Sequence, residues 1–376
     1  MTTAQRAEAH IDLDAIRANV AGLRARTGGA ELMAVVKANG YGHGMVPAAR
    51  AALSGGATWL GVAFPDEALA LRAAGIDAPI LAWLAVPGEP FADAIRAGID
   101  LSAAGPWSID DIVAGARRAG RIARVHLKVD TGLSRGGAPV ADWPSLVDAA
   151  LAAQADGSVH IVGVWSHLAC ADQPGHPSIA RQLDCFRDAV AFAEKAGVRP
   201  EVRHIANSAA TLTQTEAYFD LVRPGIATYG LSPIPGRGTF GLRPAMTLTA
   251  PLVLVKRVPE GSGVSYGHRY TTARDTTVGL VPLGYADGVP RHATNTTEVL
   301  AGRKRRRIAG TVCMDQFVLD LGDDPVRAGD EVVLFGPGDH GEPTAQDWAD
   351  ALGTISYEIV SRIGPRVPRT YSGAAA

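Results

Sequence analysis

Near the start of the chain a single cation closes an apolar run. Leu32, Met33, Ala34, Val35 and Val36 suit a strand buried on both faces, and Lys37 follows at once. A charge at the end of a buried strand is costly unless it is paired or neutralised. Lysine is the side chain most readily pushed to its neutral, nucleophilic amine, which can then form a Schiff base. Gly40, Gly42 and Gly44 come next, with Tyr41 between them. Glycine lets the chain turn tightly and approach a ligand closely, and the tyrosine sets a hydroxyl one short loop from the amine. The competing reading is a lysine that reaches solvent before a plain glycine turn, and this motif alone does not decide between the two.

The elements that must position this lysine alternate regularly. A helix is predicted from Asp12, with Leu13, Ile16, Val20 and Leu23 on one face. Strands are predicted at residues 32–36, 58–63, 79–83, 100–103, 124–129, 160–166, 202–206 and 221–226. Helical windows fall between them, among them 66–74, 90–97, 108–119, 144–153 and 179–195. Eight apolar strands, each followed by a helix or turn, in about 230 residues fit a (β/α)8 barrel. Active sites of such barrels lie where the strands end. Those ends carry Lys37, Trp83, Lys128 with Asp130 and Arg135, His167, Asn207 with Ser208, and Arg223 with Gly225. Ser208 at the entrance to a helix, with free backbone N–H groups, makes an anion cradle; a plain N-cap explains it too.

Residues 232–244 are rich in proline and glycine and read as a linker. The division is a barrel over residues 1–236 and a mostly-β domain over 237–376. Strands are expected there at 246–258, 277–281, 298–300, 308–321 and 331–335, with one late helix over 346–352 between Thr344 and Gly353. The tail from Ser372 is expected to be disordered.

Bulk properties exclude several classes. The 376 residues are 47% hydrophobic and 20% charged, with a formal charge of −2, so the balance favours neither nucleic acid nor a membrane surface. The basic run Arg303-Lys-Arg-Arg-Arg307 has no interleaved aromatics and reads as a solvated hairpin face. No apolar stretch approaches the roughly 20 residues that span a bilayer, and the first ten residues lack a signal-peptide core. Cys170, Cys185 and Cys313 have no metal-ligand spacing. That argues for reduced thiols, a cytoplasmic address and no zinc site.

Three motifs of the second domain complete a set: Ser265-Tyr-Gly267, Gly284-Tyr-Ala-Asp-Gly288 and Cys313-Met-Asp-Gln316. With residues 34–44, Lys128-Val-Asp-Thr-Gly132 with Arg135, and Arg223-Pro-Gly225, the chain resembles the alanine racemases over nearly its whole length. The resemblance implies homodimeric enzymes that bind pyridoxal 5′-phosphate in an N-terminal barrel. They interconvert L- and D-alanine and supply D-alanine for peptidoglycan. Lys37 then matches the lysine that carries the cofactor and serves one face of the substrate Cα. Tyr266 of the partner subunit matches the base on the other face. A phenolate at pH 7 costs on the order of 4 kcal/mol from a pKa of about 10, so the tyrosine needs positive charge or a relay beside it. His167 and Arg223 match the pair that connects it to the pyridine nitrogen. Arginine there cannot accept a proton, which weakens the electron sink and favours racemisation over transamination.

By the same resemblance, Arg135 bonds the cofactor's phenolic oxygen and orients the substrate carboxylate. Lys128 matches a lysine often carbamylated in the family; an unmodified amine paired with Asp130 is the alternative. Tyr41, Trp83, Asn207, Ser208, Gly225, Ile226 and Tyr357 match the cofactor-binding set. The Met314 backbone meets the substrate carboxylate, with Cys313 and Asp315 shaping the site and Cys313 packing rather than reacting. Tyr285, Arg291, Asp172 and Ile355 match the access corridor, although surface-loop roles explain them almost as well. Thr311 stands where many relatives carry arginine, which leaves the charge of the corridor open. The nearest rival is a broad-specificity amino-acid racemase of the same fold. A fold-related decarboxylase is the next. A pyridoxal-phosphate carrier without catalysis is disfavoured by the second domain and Tyr266.

Overall fold

The computed structural model describes residues 6–373. It opens on a strand that the sequence pattern does not mark, β1 (Glu8–Asp12), whose alternate residues Ala9 and Ile11 are buried. Asp12 ends it and caps helix α1 (Leu13–Arg26), its carboxylate accepting from the Ala15 N–H at 2.9 Å. Eight parallel strands follow: β2 (Glu31–Val35), β3 (Trp59–Val62), β4 (Ile80–Ala82), β5 (Asp100–Ala103), β6 (Ala123–Lys128), β7 (Val159–Trp165), β8 (Val202–His204) and β9 (Leu221–Val222). They pair in sequence order from β2 to β8, and β9 pairs with β2 to bring the sheet round. At the remaining seam, between β8 and β9, the Asp220 and Arg223 N–H groups donate to the carbonyls of Arg203 and Ala206. This is the (β/α)8 barrel that the alternation implies. Inside it Met33, Trp59, Leu81, Val162, Val202 and Leu221 form one apolar cluster.

The second domain is built on a six-stranded sheet that takes in both ends of the chain. β1 lies antiparallel to β10 (Met246–Pro251) and parallel to the terminal strand Arg369–Ser372, with Asp12 opposite Ser372. Residues 8–12 therefore belong to the sheet of the second domain, although they precede the barrel. The expected tail disorder does not begin at Ser372, which is paired; residues 374–376 lie outside the described residues, as do 1–5 of the N-terminal reading.

Other expectations need adjusting. The strand expected over 246–258 breaks into β10 and β11 (Leu254–Val258), which join different sheets. In the one expected over 308–321, Ile308 makes a lone bridge to Leu319, a loop follows, and the strand proper is Phe317–Gly322. A second late helix, Ser356–Ser361, follows Ala345–Leu352 and carries Tyr357. The basic run forms the hairpin strand Lys304–Arg307, where Lys304 and Arg306 both pair with Asp324. Among the described residues no helix is long and apolar enough to cross a membrane. No cluster of three His, Cys, Asp or Glu side chains there has the geometry to hold a metal.

Candidate active site

Lys37 emerges where β2 ends, and the chain then turns with left-handed backbone through Ala38, Asn39, Gly40, Tyr41 and Gly42. Burial, and then the charge of Arg135, push its amine below the usual lysine range, with Glu67 opposing them. The ammonium lies 5.9 Å from the centre of the Trp83 ring. Glycine is required at two points of this region. A Cβ at Gly42 would stand 2.3 Å from the Val360 carbonyl oxygen, and one at Gly225 would stand 2.4 Å from the Tyr41 hydroxyl.

Behind the lysine lies a buried polar chain. Arg223 donates to His204 Nδ1 at 2.9 Å, to the Ser166 carbonyl at 2.8 Å and to His167 Nδ1 at 3.3 Å. His204 Nε2 is 2.9 Å from His126 Nδ1, and His126 Nε2 is 3.2 Å from Asp100 Oδ2. A carboxylate at one end and a guanidinium at the other fix every tautomer. His126 gives its Nε2–H to Asp100, so its Nδ1 accepts from His204 Nε2–H. That leaves His204 Nδ1 to accept from Arg223. Burial pushes both His204 and His167 well below the ordinary imidazole range, so they are neutral. Burial also works against the Asp100 carboxylate, yet bonds from His126 and Arg124 hold it below its usual value. Burial lowers the Arg223 guanidinium to about 9, which leaves it charged at neutral pH. A buried cation needs a counter-charge, and two imidazoles connect this one to Asp100.

Sequence reasoning finds His167 and Arg223 and misses Asp100, His126 and His204. A signal is present, because each is an ionisable residue at a buried position of a barrel strand.

Lys128 ends β6 and lies over the Trp165 ring at 4.3 Å. Burial first, and then Arg223 and Arg135, bring its amine down to about 8. The alternative pairing with Asp130 does not form. Asp130 Oδ1 accepts instead from the backbone N–H groups of Gly132, Leu133 and Ser134, at 2.9, 3.0 and 3.2 Å. Arg135 is exposed at the rim, and its charge acts on Lys37, Lys128 and His167.

After β8 the N-cap is Asn207, which accepts from the Ala210 N–H, so Ser208 does not serve as the cap. The Ser208 hydroxyl accepts instead from the N–H groups of Gly225 at 2.8 Å and Ala227 at 3.3 Å, tying the loops after β8 and β9 together beside Ile226. Tyr41 packs between Tyr229 and Tyr357, with ring centres 5.0 and 6.2 Å away. Burial raises the Tyr41 and Tyr357 phenols, so both remain protonated donors.

The second-domain residues are placed differently. Tyr266 is 73% exposed, and Met314, Tyr285 and Ile355 are exposed too. Arg291 and Asp172 also lie at the surface. Tyr266 lines a groove with Ser265, Leu280, Cys313, Gln316, Phe317 and Val318, and no barrel residue enters that lining. Its loop is tied to residues 311–313: the Ser265 hydroxyl donates to the Thr311 carbonyl at 2.6 Å, and the Thr311 hydroxyl to the Tyr266 carbonyl at 2.7 Å. Thr311, marked in the sequence for its corridor charge, is thus a buried backbone tie. Cys313 Sγ packs 3.2 Å from the Ser265 hydroxyl, and Asp315 pairs with Arg366 at 2.7 Å. Gly284 presses on this loop, where a Cβ would stand 2.3 Å from the Cys313 and Met314 carbonyl oxygens.

Residues 11–233 match the family described as alanine racemase, N-terminal domain, and residues 245–371 match alanine racemase, C-terminal domain. The alanine racemase of Frankia casuarinae is 67% identical over 96% of this chain and 95% of its own. That of Thermobifida fusca is 66% identical over 98% of both. The crystal structure of alanine racemase from a D-cycloserine-producing Streptomyces lavendulae superposes with a TM-score of 0.98 at 61% identity, covering 99% of this chain and 98% of that one. Fold, site and relatives together define an amino-acid racemase, an isomerase. More narrowly, the chain belongs to the alanine racemase family.

Proposed function

We propose that this chain interconverts L- and D-alanine by a two-base reaction that depends on pyridoxal 5′-phosphate. It works as a homodimer, with Lys37 on one face of the substrate Cα and Tyr266 of the partner subunit on the other. The observation that carries the reading is the half-buried amine at the end of β2, pushed toward its neutral form, with the Arg223–His167 pair in the same barrel mouth.

The donor set suits the cofactor. Tyr41, Tyr357, the Ser208 hydroxyl and the Gly225–Ile226 backbone would hold its phosphate, and only glycine at 225 leaves room beside the Tyr41 hydroxyl. Asn207 sets the loop that presents Ser208. Trp83 lies beside Lys37, and Arg223 would be the donor for the pyridine nitrogen. When bound, the group supplies the electron sink that makes the Cα proton removable.

The residues themselves divide the work. Lys37, its pKa lowered chiefly by burial, takes or returns a proton at its Nζ, and Tyr266 does so from the opposite side at its hydroxyl. One base that cannot move around the carbon exchanges a proton without inverting the centre, so both are needed. Arg223 stays a donor, bonded to neutral imidazoles and backbone carbonyls, and it gives no place for a proton to rest. Arg135 and the Met314 backbone orient the substrate carboxylate. Tyr285, Arg291, Asp172 and Ile355 line the approach.

Lys128 carries a second consequence. With its amine near 8, a neutral fraction is present at physiological pH to add to carbon dioxide. The nitrogen bonds to carbon, a proton leaves, and a cation becomes an anion able to hold Arg135.

The bulk of Tyr266 and Tyr357 limits the side chain to about a methyl group, favouring alanine over a broader substrate range. The D-alanine would serve peptidoglycan assembly. The test is to measure D-alanine formed from L-alanine by protein supplied with pyridoxal phosphate, with and without prior borohydride reduction, and then turnover of serine and lysine. Racemisation that is unaffected by borohydride, or equal turnover of all three, would overturn the reading.

A further inference from the structure

The turn that follows Lys37 runs against the handedness of L-amino acids. Ala38, Asn39, Gly40, Tyr41 and Gly42 have φ of 53°, 52°, 62°, 52° and 84° in succession. Elsewhere in the described chain, non-glycine residues with positive φ occur one at a time. Left-handed backbone costs an L-residue roughly 1–2 kcal/mol, and such strain persists only where the surroundings over-determine it.

Four side chains do so. His43 presents Nδ1 to the carbonyls of Gly40 and Tyr41, at 3.1 and 3.0 Å, and so carries its proton there. Asn39 accepts from the Met45 N–H at 3.0 Å, and Arg369 donates to the Gly42 carbonyl at 2.9 Å. The fourth, Glu67, acts at the residue next to the lysine. Its Oε1 accepts from the Ala38 N–H at 2.7 Å, while Oε2 accepts from Ala63 and Phe64 at 2.9 and 3.2 Å. A glutamate that only capped its own helix, Pro65–Ala73, would need one oxygen. Glu67 uses the second to join the end of β2 to the end of β3.

We propose that Glu67 is the positioning residue for Lys37. Its carboxylate fixes the strained turn that aims the amine, and it sets a negative charge against the cations that crowd that amine. The proposal rests on the reading of Lys37 as the cofactor lysine and names what holds it there. The charges around Lys37 are Arg135, Lys128 and Glu67, with His167 neutral nearby. Of these Glu67 alone favours the protonated amine, so removing its charge lowers the amine's pKa further.

Glutamine has a single acceptor oxygen and cannot serve both strand ends, which makes Glu67→Gln the discriminating variant. The experiment labels full-length protein, without added cofactor, with an amine-reactive reagent across pH, and reads Lys37 by mass spectrometry. The Lys37 midpoint is expected to fall by about half a unit in Glu67→Gln. With pyridoxal phosphate added, kcat is expected to drop at least about tenfold, and Glu67→Asp to recover part of both. An unchanged midpoint in a folded variant, even with a lower melting temperature, reduces Glu67 to a helix cap and overturns the proposal. Should Glu67→Gln not fold, Ala38→Gly in the same chain relieves the strain at position 38. The Lys37 midpoint of that double variant is then compared with that of Ala38→Gly alone; the same fall is expected, and no fall overturns the proposal. A wild-type protein that never takes up pyridoxal phosphate would sink the reading of Lys37, while the cofactor-free titration would still decide the role of Glu67.

Discussion

Around Lys37 the backbone is left-handed for five residues and is held from two sides: by Glu67 of the barrel, and by Arg369 of the β domain. Around Tyr266 the left-handed non-glycine residues are single, Ser265 at a φ of 62° and His268 at 46°, and a hydroxyl exchange with Thr311 stays within one domain. Lys37 is half-buried among residues of its own chain; Tyr266 stands out in solvent, in a groove that no barrel residue lines. The difference teaches that burial and charges of the same chain tune the lysine, whereas the tyrosine has only its own loop and solvent around it. On the proposed reading, Tyr266 acts only where a second copy brings its own Arg223–His167 pair up to it.

The sharpest way to break this comparison is Lys37→Ala. It should abolish cofactor attachment and lower racemisation by about a thousandfold or more; absorbance after gel filtration and D-alanine formation report the two effects. Tyr266→Phe should keep the cofactor and lose about 10²- to 10⁴-fold in rate. Because mirror-image substrates have an equilibrium constant of one, kcat/KM must fall equally in both directions. The asymmetry belongs in hydrogen exchange: in deuterated water one isomer should still lose its Cα proton, and its mirror image should not. Equal exchange of both isomers would remove the division of faces between the two residues.

Acid probes the buried side alone. Burial depresses His43 to about 4 from an ordinary 6.5. Between those values the unfolded chain binds the proton more readily than the fold does. The stability tied to a neutral His43 is therefore present above pH 6.5 and is lost as pH falls toward 4, by about 3 kcal/mol in all. Neutral His167 and His204 act in the same direction. Melting temperatures at stepped pH should drop across that window, and a flat profile would mean that these imidazoles are not buried neutral.

The smallest effect is expected on the exposed side. Thr311→Val deletes the hydroxyl that holds the Tyr266 carbonyl and should cost about 1 kcal/mol. Activity should fall a few-fold with cofactor affinity unchanged, as paired kinetic and binding titrations would show.

How much of this is readable from the sequence follows from where each signal lives. The barrel strands are legible because they are short apolar runs closed by polar residues, and Lys37, Lys128, His167 and Arg223 stand at those closures. The second domain is less so. Its strand over 8–12 is five residues long and pairs with residues more than 230 positions away, and no local pattern announces such a partner. The loop over 309–316 reads as a strand because Val312 and Cys313 are apolar, although Gly310, at a φ of 81°, breaks the run. Asp100, His126 and His204 carry a readable oddity, polar groups in buried strands, but only the folded barrel brings three separate strands into one chain of bonds. Glu67 looks like an ordinary first-turn glutamate, because its second partner belongs to another strand.

The last strand, Arg369–Ser372, lies against the first, and Arg369 reaches the carbonyl of Gly42. During synthesis the eight barrel strands are all available once residue 222 has emerged, yet the turn behind Lys37 still waits for a guanidinium almost 150 residues downstream. On the proposed reading, a chain cut short anywhere before position 369 would carry its lysine on an unfinished mount.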